Sequence, residues 1–124
     1  MIELTFPVSP VAASRPRVGR HGSYYTGAYK RFREQANKVA LDMFKGFQPF
    51  EYELMVDIKC YCTRPKATKL SYPRSDVDNL AKAVMDLMNK KLWLDDSQII
   101  GMFVSKEWAS PGQEGYFTIA VDKA

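Results

Sequence analysis

The chain has 124 residues, of which 46% are hydrophobic, enough for one domain with its own core but too few for two. Its 18 lysines and arginines outnumber 14 aspartates and glutamates, giving a formal net charge of +4 that favours an anionic partner such as nucleic acid. No run approaches the roughly 20 apolar residues that span a bilayer, and the amino terminus lacks a secretory signal, so we expect a cytosolic protein with no membrane partner.

The amino-terminal third predicts a strand, a basic loop and a helix. Residues 2–6 alternate as a short strand that stops at Pro7. Residues 9–27 combine prolines, glycines and arginines without sustained periodicity, which predicts a mobile basic loop. Apolar residues then recur at helical spacing from Tyr29 to about Gly46. The outer face of this helix is basic, and it could either follow a phosphate backbone or serve only solvation.

The clearest strand runs from Tyr52 to Cys62, where apolar and polar side chains alternate. Cys60 and Cys62 point to the same side of it, and their spacing disfavours a disulfide between them. We therefore expect two buried free thiols. Residues 63–74 follow with four basic side chains and no acid.

Five carboxylates fall within the 21 residues from Asp76 to Asp96. Such a cluster is costly unless a cation or a lysine compensates the mutual repulsion. Carboxylates suit hard cations such as Mg²⁺ or Mn²⁺ better than zinc, and the chain has only one histidine. A divalent metal beside a lysine can activate water and stabilise charge on a phosphate, which is what phosphoryl chemistry requires. Because the surrounding chain is basic, the natural substrate is a nucleic-acid backbone.

The first acids belong to a predicted helix that starts near Asp78 and has one apolar face. Asp78, Lys82 and Asp86 follow at intervals of four on its polar stripe, with the lysine held between two acids. Each acid also has a structural explanation: Ser75 or Asp76 could cap the helix, and Asp86 could be a solvated partner of Lys82 or Lys90. Capping does not explain five acids with an interposed lysine in a basic chain, so we favour a metal site.

The second pair, Asp95 and Asp96, follows Trp93 and Leu94, which predict an apolar anchor after the helix. We expect the chain to fold back at this anchor and bring the second pair beside the first. Either acid could instead cap a short turn.

Residues 98–108 and 116–121 predict two final strands, joined by a linker with hairpin chemistry. The element order β-α-β-α-β-β predicts a single α/β domain over residues 1–124, with two helices packed on a mixed sheet that is parallel where a helix crosses over. The candidates for a subunit interface are Met85, Met88, Leu92 and Trp93.

The ordered motif D-x-D-N-x-x-K at residues 76–82, followed by D-D-x-Q at residues 95–98, resembles the RusA family of Holliday junction resolvases. A looser likeness reaches back to Arg15-Pro16-Arg17, so that the resemblance spans 92 of 124 residues, up to Lys106. It implies a homodimeric, Mg²⁺-dependent endonuclease of the phage and prophage type. Such an enzyme resolves four-way junctions and related branched DNA by paired symmetric nicks in recombination and repair, with Mn²⁺ as a possible substitute.

The resemblance also implies residue roles. Asp76, Asp78 and Asp96 would be the catalytic carboxylates that hold metal, and Lys82 would stabilise transition-state charge. Asp95 belongs to the metal-binding motif, and either member of its pair could be the direct ligand. Lys106 could lie at the site or be an exposed strand lysine. The residues expected to contact DNA phosphates are Arg15, Arg17, Arg20, Arg64, Lys66, Lys69, Arg74 and Lys106.

Two other classes of function also fit parts of the sequence: a non-catalytic protein that binds branched DNA, and a structural protein whose acidic cluster only binds a cation. The distribution of charge favours the nuclease. Residues 15–74 hold 13 basic and five acidic side chains, whereas residues 75–96 hold five acids and three lysines. A basic body around an acidic pocket is expected where phosphates are gathered and one is delivered to a metal.

Overall fold

The computed structural model describes residues 1–25 and 27–124. Its main element is a four-stranded mixed sheet with two helices packed on one face. The elements in chain order are β1 (Ile2–Phe6), β2 (Arg17–Gly19), β3 (Gly22–Tyr24), α1 (Gly27–Met43), β4 (Leu54–Cys62), α2 (Val77–Met88), a short 3-10 helix (Asp96–Gln98), β5 (Ile99–Trp108) and β6 (Tyr116–Lys123). The strand order is β1-β6-β4-β5, in which β4 and β5 are parallel and the other pairs are antiparallel. The predicted α/β class is confirmed, as is the parallel pair at the crossover through α2. No helix in the described ranges is long and apolar enough to cross a bilayer.

The core lies between one face of the sheet and the two helices. Every second residue of β4 is buried, from Leu54 to Cys62, as the alternation predicted. The rings of Phe6 and Phe117 stack at 4.8 Å between centroids and join the α1 residue Phe32 in the same core. The apolar face predicted for α2 is also confirmed, since its four members are buried: Leu80, Ala83, Val84 and Leu87.

Both cysteines are free and buried in this core, as predicted. Burial raises the pKa of the Cys60 thiol to about 12. Burial also raises the pKa of Cys62, an effect that the positive charge of Lys106 partly opposes. Because the thiolate is the reactive form, both groups should be poor nucleophiles in the folded protein at neutral pH.

We expect iodoacetamide to label neither cysteine of the native protein appreciably at pH 8, and to label both after denaturation in guanidinium. The raised pKa values keep the thiols protonated, and burial blocks the reagent. Mass spectrometry of the labelled chain would measure the difference. Labelling of native protein at the rate of an exposed cysteine would contradict this description of the core.

The linker after β5 does not form the predicted hairpin, because β4 lies between β5 and β6. The linker instead binds the end of β4 and its continuation: Ala109 N donates to Cys62 O at 2.8 Å, and Gly115 N donates to Thr63 Oγ1 at 2.8 Å. A Cβ at Gly115 would lie 2.6 Å from Tyr61 O, so only glycine lets the chain pass this closely. The crossover through α2 places β5 on the outer side of β4, which leaves β6 to pair with the other side.

Residues 9–27 are more ordered than a plain loop. They contain an antiparallel hairpin in which Arg17 pairs with Tyr24 and Gly19 with Gly22. All residues of β2 and β3 are exposed. Thr26, which belongs to the predicted loop, lies outside the described residues. The prediction missed the hairpin because its strands are three residues each, too short for a visible alternation.

The segment after α2 corrects two further expectations. Met88, Leu92 and Trp93 are fully buried in the core, so they are not candidates for a subunit interface, whereas Met85 is only half-buried. Trp93 is the expected anchor, but Leu94 is not, since 45% of it is exposed. The apolar character of these residues predicts burial without saying whether this chain or a partner covers them.

Candidate active site

The first pair of aspartates, Asp76 and Asp78, lies at the start of α2. Asp76 is the N-cap residue, yet its side chain makes no capping hydrogen bond, and only its carbonyl accepts from Leu80 N at 3.0 Å. The explanation of Asp76 as a side-chain cap is therefore wrong. Asp78 is exposed in the first turn, where the helix dipole favours a negative charge. Within the described ranges neither carboxylate forms an ion pair.

Lys106 fixes the segment that leads into this pair. Its Nζ donates to Ser75 O at 2.6 Å and lies 5.7 Å from the centroid of the Tyr72 ring. Lys106 is half-buried, so it is not an ordinary exposed strand lysine. The carboxyl-terminal part of β5 thus lies beside the residues just before Asp76.

Lys82 forms an ion pair with Asp86, with 3.2 Å between Nζ and Oδ2. That hydrogen bond, together with the negative charge of Asp86, raises the pKa of the Lys82 ammonium, so the lysine stays charged at neutral pH. In the described part of the chain it has no ion pair with Asp78. The expectation of a lysine held between two acids is wrong, and the solvated partner of Lys82 is Asp86.

The two members of the second pair have different surroundings. Asp95 caps the short 3-10 helix, since its side chain accepts from Ser97 N at 3.0 Å. Hydrogen bonding by the Ser97 side chain, and secondly by the Ser97 backbone, lowers the pKa of Asp95. Asp96 is half-buried, and its carboxylate makes no hydrogen bond or ion pair to another described residue. The capping explanation applies to Asp95, and Asp96 is the member available to a ligand.

Gln98 supports the second pair, a role that the sequence reasoning missed. Its Oε1 accepts from Asp95 N at 2.9 Å, while its Nε2 donates to Phe50 O at 2.8 Å and to Tyr52 O at 3.0 Å. It therefore ties the acidic turn to the segment before β4. The spacing of Asp95 and Gln98 is that of a capping box, and this signal could have found it.

The two pairs lie at opposite ends of α2 and β5. The 12 residues of α2 separate them by about 18 Å at 1.5 Å per residue. On β5, Lys106 lies beside Ser75 and hence near Asp76, whereas Ile99 directly follows the turn that holds Asp96. The seven residue steps from Ile99 to Lys106 correspond to about 23 Å along the strand. In the described ranges no three acids, histidines or cysteines lie close enough together to hold a metal ion.

The expected folding back of the second pair onto the first is therefore wrong within one chain. After α2 the chain turns and runs back as β5, so the start of the helix meets the end of the strand. The second pair stays with the start of the strand. A site that uses both pairs needs two copies of the chain.

Seven of the eight predicted DNA-contacting residues form two exposed groups, and the eighth, Lys106, is half-buried on β5 and donates to Ser75 O instead. One group is on or next to the β2–β3 hairpin, within residues 9–27. The other is in residues 63–75, the loop that leads into α2, and from here on "the basic loop" means these residues. Trp108 Nε1 donates to Leu70 O at 3.0 Å and holds this loop against the end of β5. The described structure shows no ion pair at any of these exposed cations: Arg15, Arg17, Arg20, Arg64, Lys66, Lys69 and Arg74.

A comparison with protein families found a match that covers most of the chain. The family model described as Endodeoxyribonuclease RusA matches residues 7–114, a range that contains both aspartate pairs, the hairpin and the basic loop. No curated protein matches the chain.

Proposed function

This chain belongs to the RusA family of endodeoxyribonucleases, and from that premise we propose that it resolves Holliday junctions and related branched DNA by paired symmetric nicks in a Mg²⁺-dependent reaction. The observation that carries the proposal is the pair of exposed carboxylates of Asp76 and Asp78 at the end of a basic loop, neither of which forms an ion pair with another described residue. A cationic loop gathers phosphates, and this loop would deliver the phosphate backbone to the carboxylates of Asp76 and Asp78.

The donor set suits Mg²⁺, with Mn²⁺ as a substitute, because it consists of carboxylate oxygens. Asp76, Asp78 and Asp96 would hold the ion, and Asp95 would support Asp96 through the turn that it caps. When bound, Mg²⁺ would supply an activated water for attack on the phosphodiester and compensate charge on the phosphate.

We propose that each complete site combines Asp76 and Asp78 of one subunit with Asp96 of the partner subunit. One chain holds these groups about 18 Å apart, by the length of α2. A two-fold dimer would create two such sites, one for each of the two symmetric strands of a four-way junction. Catalysis would then require the dimer, and a lone subunit would bind DNA without cutting it.

The lysines and arginines would have different roles according to where they lie in the fold. Lys82 is exposed and charged one turn after Asp78, so it would stabilise the negative charge that develops on the phosphate. The arginines of the hairpin and the basic loop would hold flanking phosphates, since a guanidinium can donate two hydrogen bonds to one phosphate. Lys106 would position the first pair through its bond to Ser75.

Cleavage of a labelled four-way junction, a linear duplex and a single strand, each with and without Mg²⁺, tests this function. We expect symmetric cuts in the junction only, only with metal, and binding that weakens steeply as salt rises because counterions are released. Binding of the junction without any metal-dependent product would instead favour the non-catalytic DNA-binding protein.

A further inference from the structure

A shallow cavity of about 290 Å³ lies between the end of the β2–β3 hairpin and α1. Its lining combines two tyrosines at the end of the hairpin with charged and polar side chains of the helix. The lining residues are Tyr24, Tyr25, Lys30, Arg33, Glu34 and Asn37. The four helix residues recur at intervals of three and four, so they share one face of α1. The volume is at the lower end of the range for small-ligand sites, so the cavity suits one planar ring rather than a larger ligand.

Tyr24 provides a half-exposed aromatic ring to this cavity, since 50% of the residue is exposed. The ring lies over Gly19 of the neighbouring strand, where an added Cβ would be 2.9 Å from the ring atom Cε1. This contact with the hairpin orients the ring before any ligand binds. An oriented and accessible aromatic ring is a surface on which an unpaired base can stack.

Cations surround this ring. Arg17 pairs with Tyr24 across the hairpin, so both side chains lie on the same face of it. The guanidinium of Arg33 lies 4.4 Å from the centroid of the Tyr25 ring, a cation–π contact that holds it in the wall of the cavity. Lys30 adds an exposed positive charge one turn earlier on α1. Aromatic rings interleaved with cations are typical of surfaces that bind single-stranded nucleic acid.

Glu34 and Asn37 give the cavity hydrogen-bonding groups that can recognise the edge of a base. The Glu34 side chain is exposed and, among the residues that the structure describes, forms no ion pair. A carboxylate accepts from the amino group of cytosine, and an asparagine amide both donates to and accepts from adenine. The cavity therefore offers a stacking surface together with edge contacts, which is the combination that a single base requires.

The cavity lies beside the candidate active site. Arg33 and Asn37 also line a second, smaller cavity together with Asp86 of α2. Asp86 is the partner of Lys82, which follows Asp78 by one turn of the same helix. A base held in the first cavity would therefore belong to a nucleotide near the phosphate that the enzyme cuts.

We propose that this cavity binds one unpaired nucleobase from the branch point of the DNA, stacked on Tyr24. The inference rests on the proposed function, because it names the part of the branched substrate that the chain selects. A base within a continuous duplex is stacked and paired, so its removal costs free energy, and this cost is lower where the base is already unpaired or poorly stacked. The stack is interrupted at a branch point. The cavity would thus favour junctions over linear duplex.

Photochemical cross-linking tests the contact directly. 5-Iodouracil, placed at each branch-point position of a four-way junction in turn, should cross-link on irradiation to an aromatic ring that stacks on it. No Mg²⁺ is added, so that the strands stay intact. We expect mass spectrometry to find Tyr24 joined to the base at a branch-point position and at no position within the arms. A junction that is bound but never cross-links to Tyr24 would overturn the inference.

Tyr24→Ala is expected to weaken junction binding about tenfold, because a stacked base is lost, and to change the affinity for linear duplex by less than about twofold. Tyr24→Phe keeps the ring and should bind like the wild type. Tyr116→Ala is the matched control, since Tyr116 lies on the sheet face opposite the helices, and should alter neither affinity. Fluorescence anisotropy of labelled junction and duplex would measure these affinities. Equal losses on both DNAs, or no loss on the junction, would contradict the base site.

The failure of this inference can be told from that of the proposed function, because both measurements are made without Mg²⁺ and need no cleavage. A chain that cross-links through Tyr24 but never cuts a junction when Mg²⁺ is added refutes only the nuclease. A chain that cuts junctions with metal, while Tyr24→Ala binds them like the wild type, refutes only the base site.

Discussion

An equimolar mixture of the Asp78→Asn and Asp96→Asn proteins is expected to nick a four-way junction, although each variant alone should be inactive. Loss of one metal carboxylate should raise the barrier by several kcal/mol, and each ~1.4 kcal/mol is a factor of ten in rate. Asp78 and Asp96 lie at opposite ends of α2 in one chain. In a mixed dimer, one of the two sites combines the intact Asp78 of one chain with the intact Asp96 of the other.

The product of the mixture should be a nick in one strand rather than a paired cut, because the second site of each mixed dimer lacks both carboxylates. Denaturing electrophoresis of a junction labelled on each strand in turn would show this. Asparagine keeps the size of the side chain, so junction binding by each variant should be largely unchanged. Asp42→Asn, an exposed substitution on α1, is the matched control and should cleave like the wild type.

Undiminished nicking by Asp78→Asn alone would contradict the catalytic assignment of that residue. A mixture that stays inactive, although both variants dimerise and bind the junction, would contradict a site shared between subunits. The two outcomes test different statements, since the first concerns the chemistry and the second the assembly.

Trp93→Ala is expected to lower the free energy of unfolding by about 3–5 kcal/mol, the usual range for an aromatic side chain removed from a core. Trp93 is fully buried, and its Nε1 donates to Asn89 Oδ1 at 2.8 Å. The turn around it is held to Phe50, whose N donates to Leu92 O at 2.9 Å and whose O accepts from Leu94 N at 3.2 Å. The loss would therefore loosen the turn that precedes the second aspartate pair.

Denaturation in guanidinium, followed by the fluorescence of the other tryptophan, Trp108, would measure this loss. Trp93→Phe is the closest control and should cost less, because it keeps an aromatic ring but loses the bond to Asn89. Leu94→Ala should change stability little, since Leu94 is nearly half exposed. Equal losses for Trp93→Ala and Leu94→Ala would show that Trp93 is not the anchor.

Local patterns in the sequence were sufficient to predict the two helices, the main strands and the residues of the motif. The alternation from Leu54 to Cys62 predicts β4 and its buried face, and the helical spacing around Leu80 and Leu87 predicts α2. Both patterns depend on neighbours a few positions apart, which every strand or helix brings to one side. The same short range explains why the two free thiols could be foreseen.

Which of the acids caps a helix could be decided only from the contacts that each side chain makes in the structure. Asp76 and Asp95 both stand in front of a helix, and both could have been caps. In the structure Asp95 accepts the bond from Ser97, whereas the carboxylate of Asp76 makes no such bond. Capping geometry depends on the backbone angles of a few residues, and composition does not determine these.

The family, the two helices, the main strands and the positions of the motif aspartates could all be read from local patterns. The three-dimensional fold was needed to show that β4 separates β5 from β6, that residues 17–24 form a hairpin, and that the aspartate pairs lie at opposite ends of α2. Strand order and long distances depend on which apolar faces cover one another across the whole chain. A pattern that relates only residues within one helical turn carries no information about strand order or about such distances.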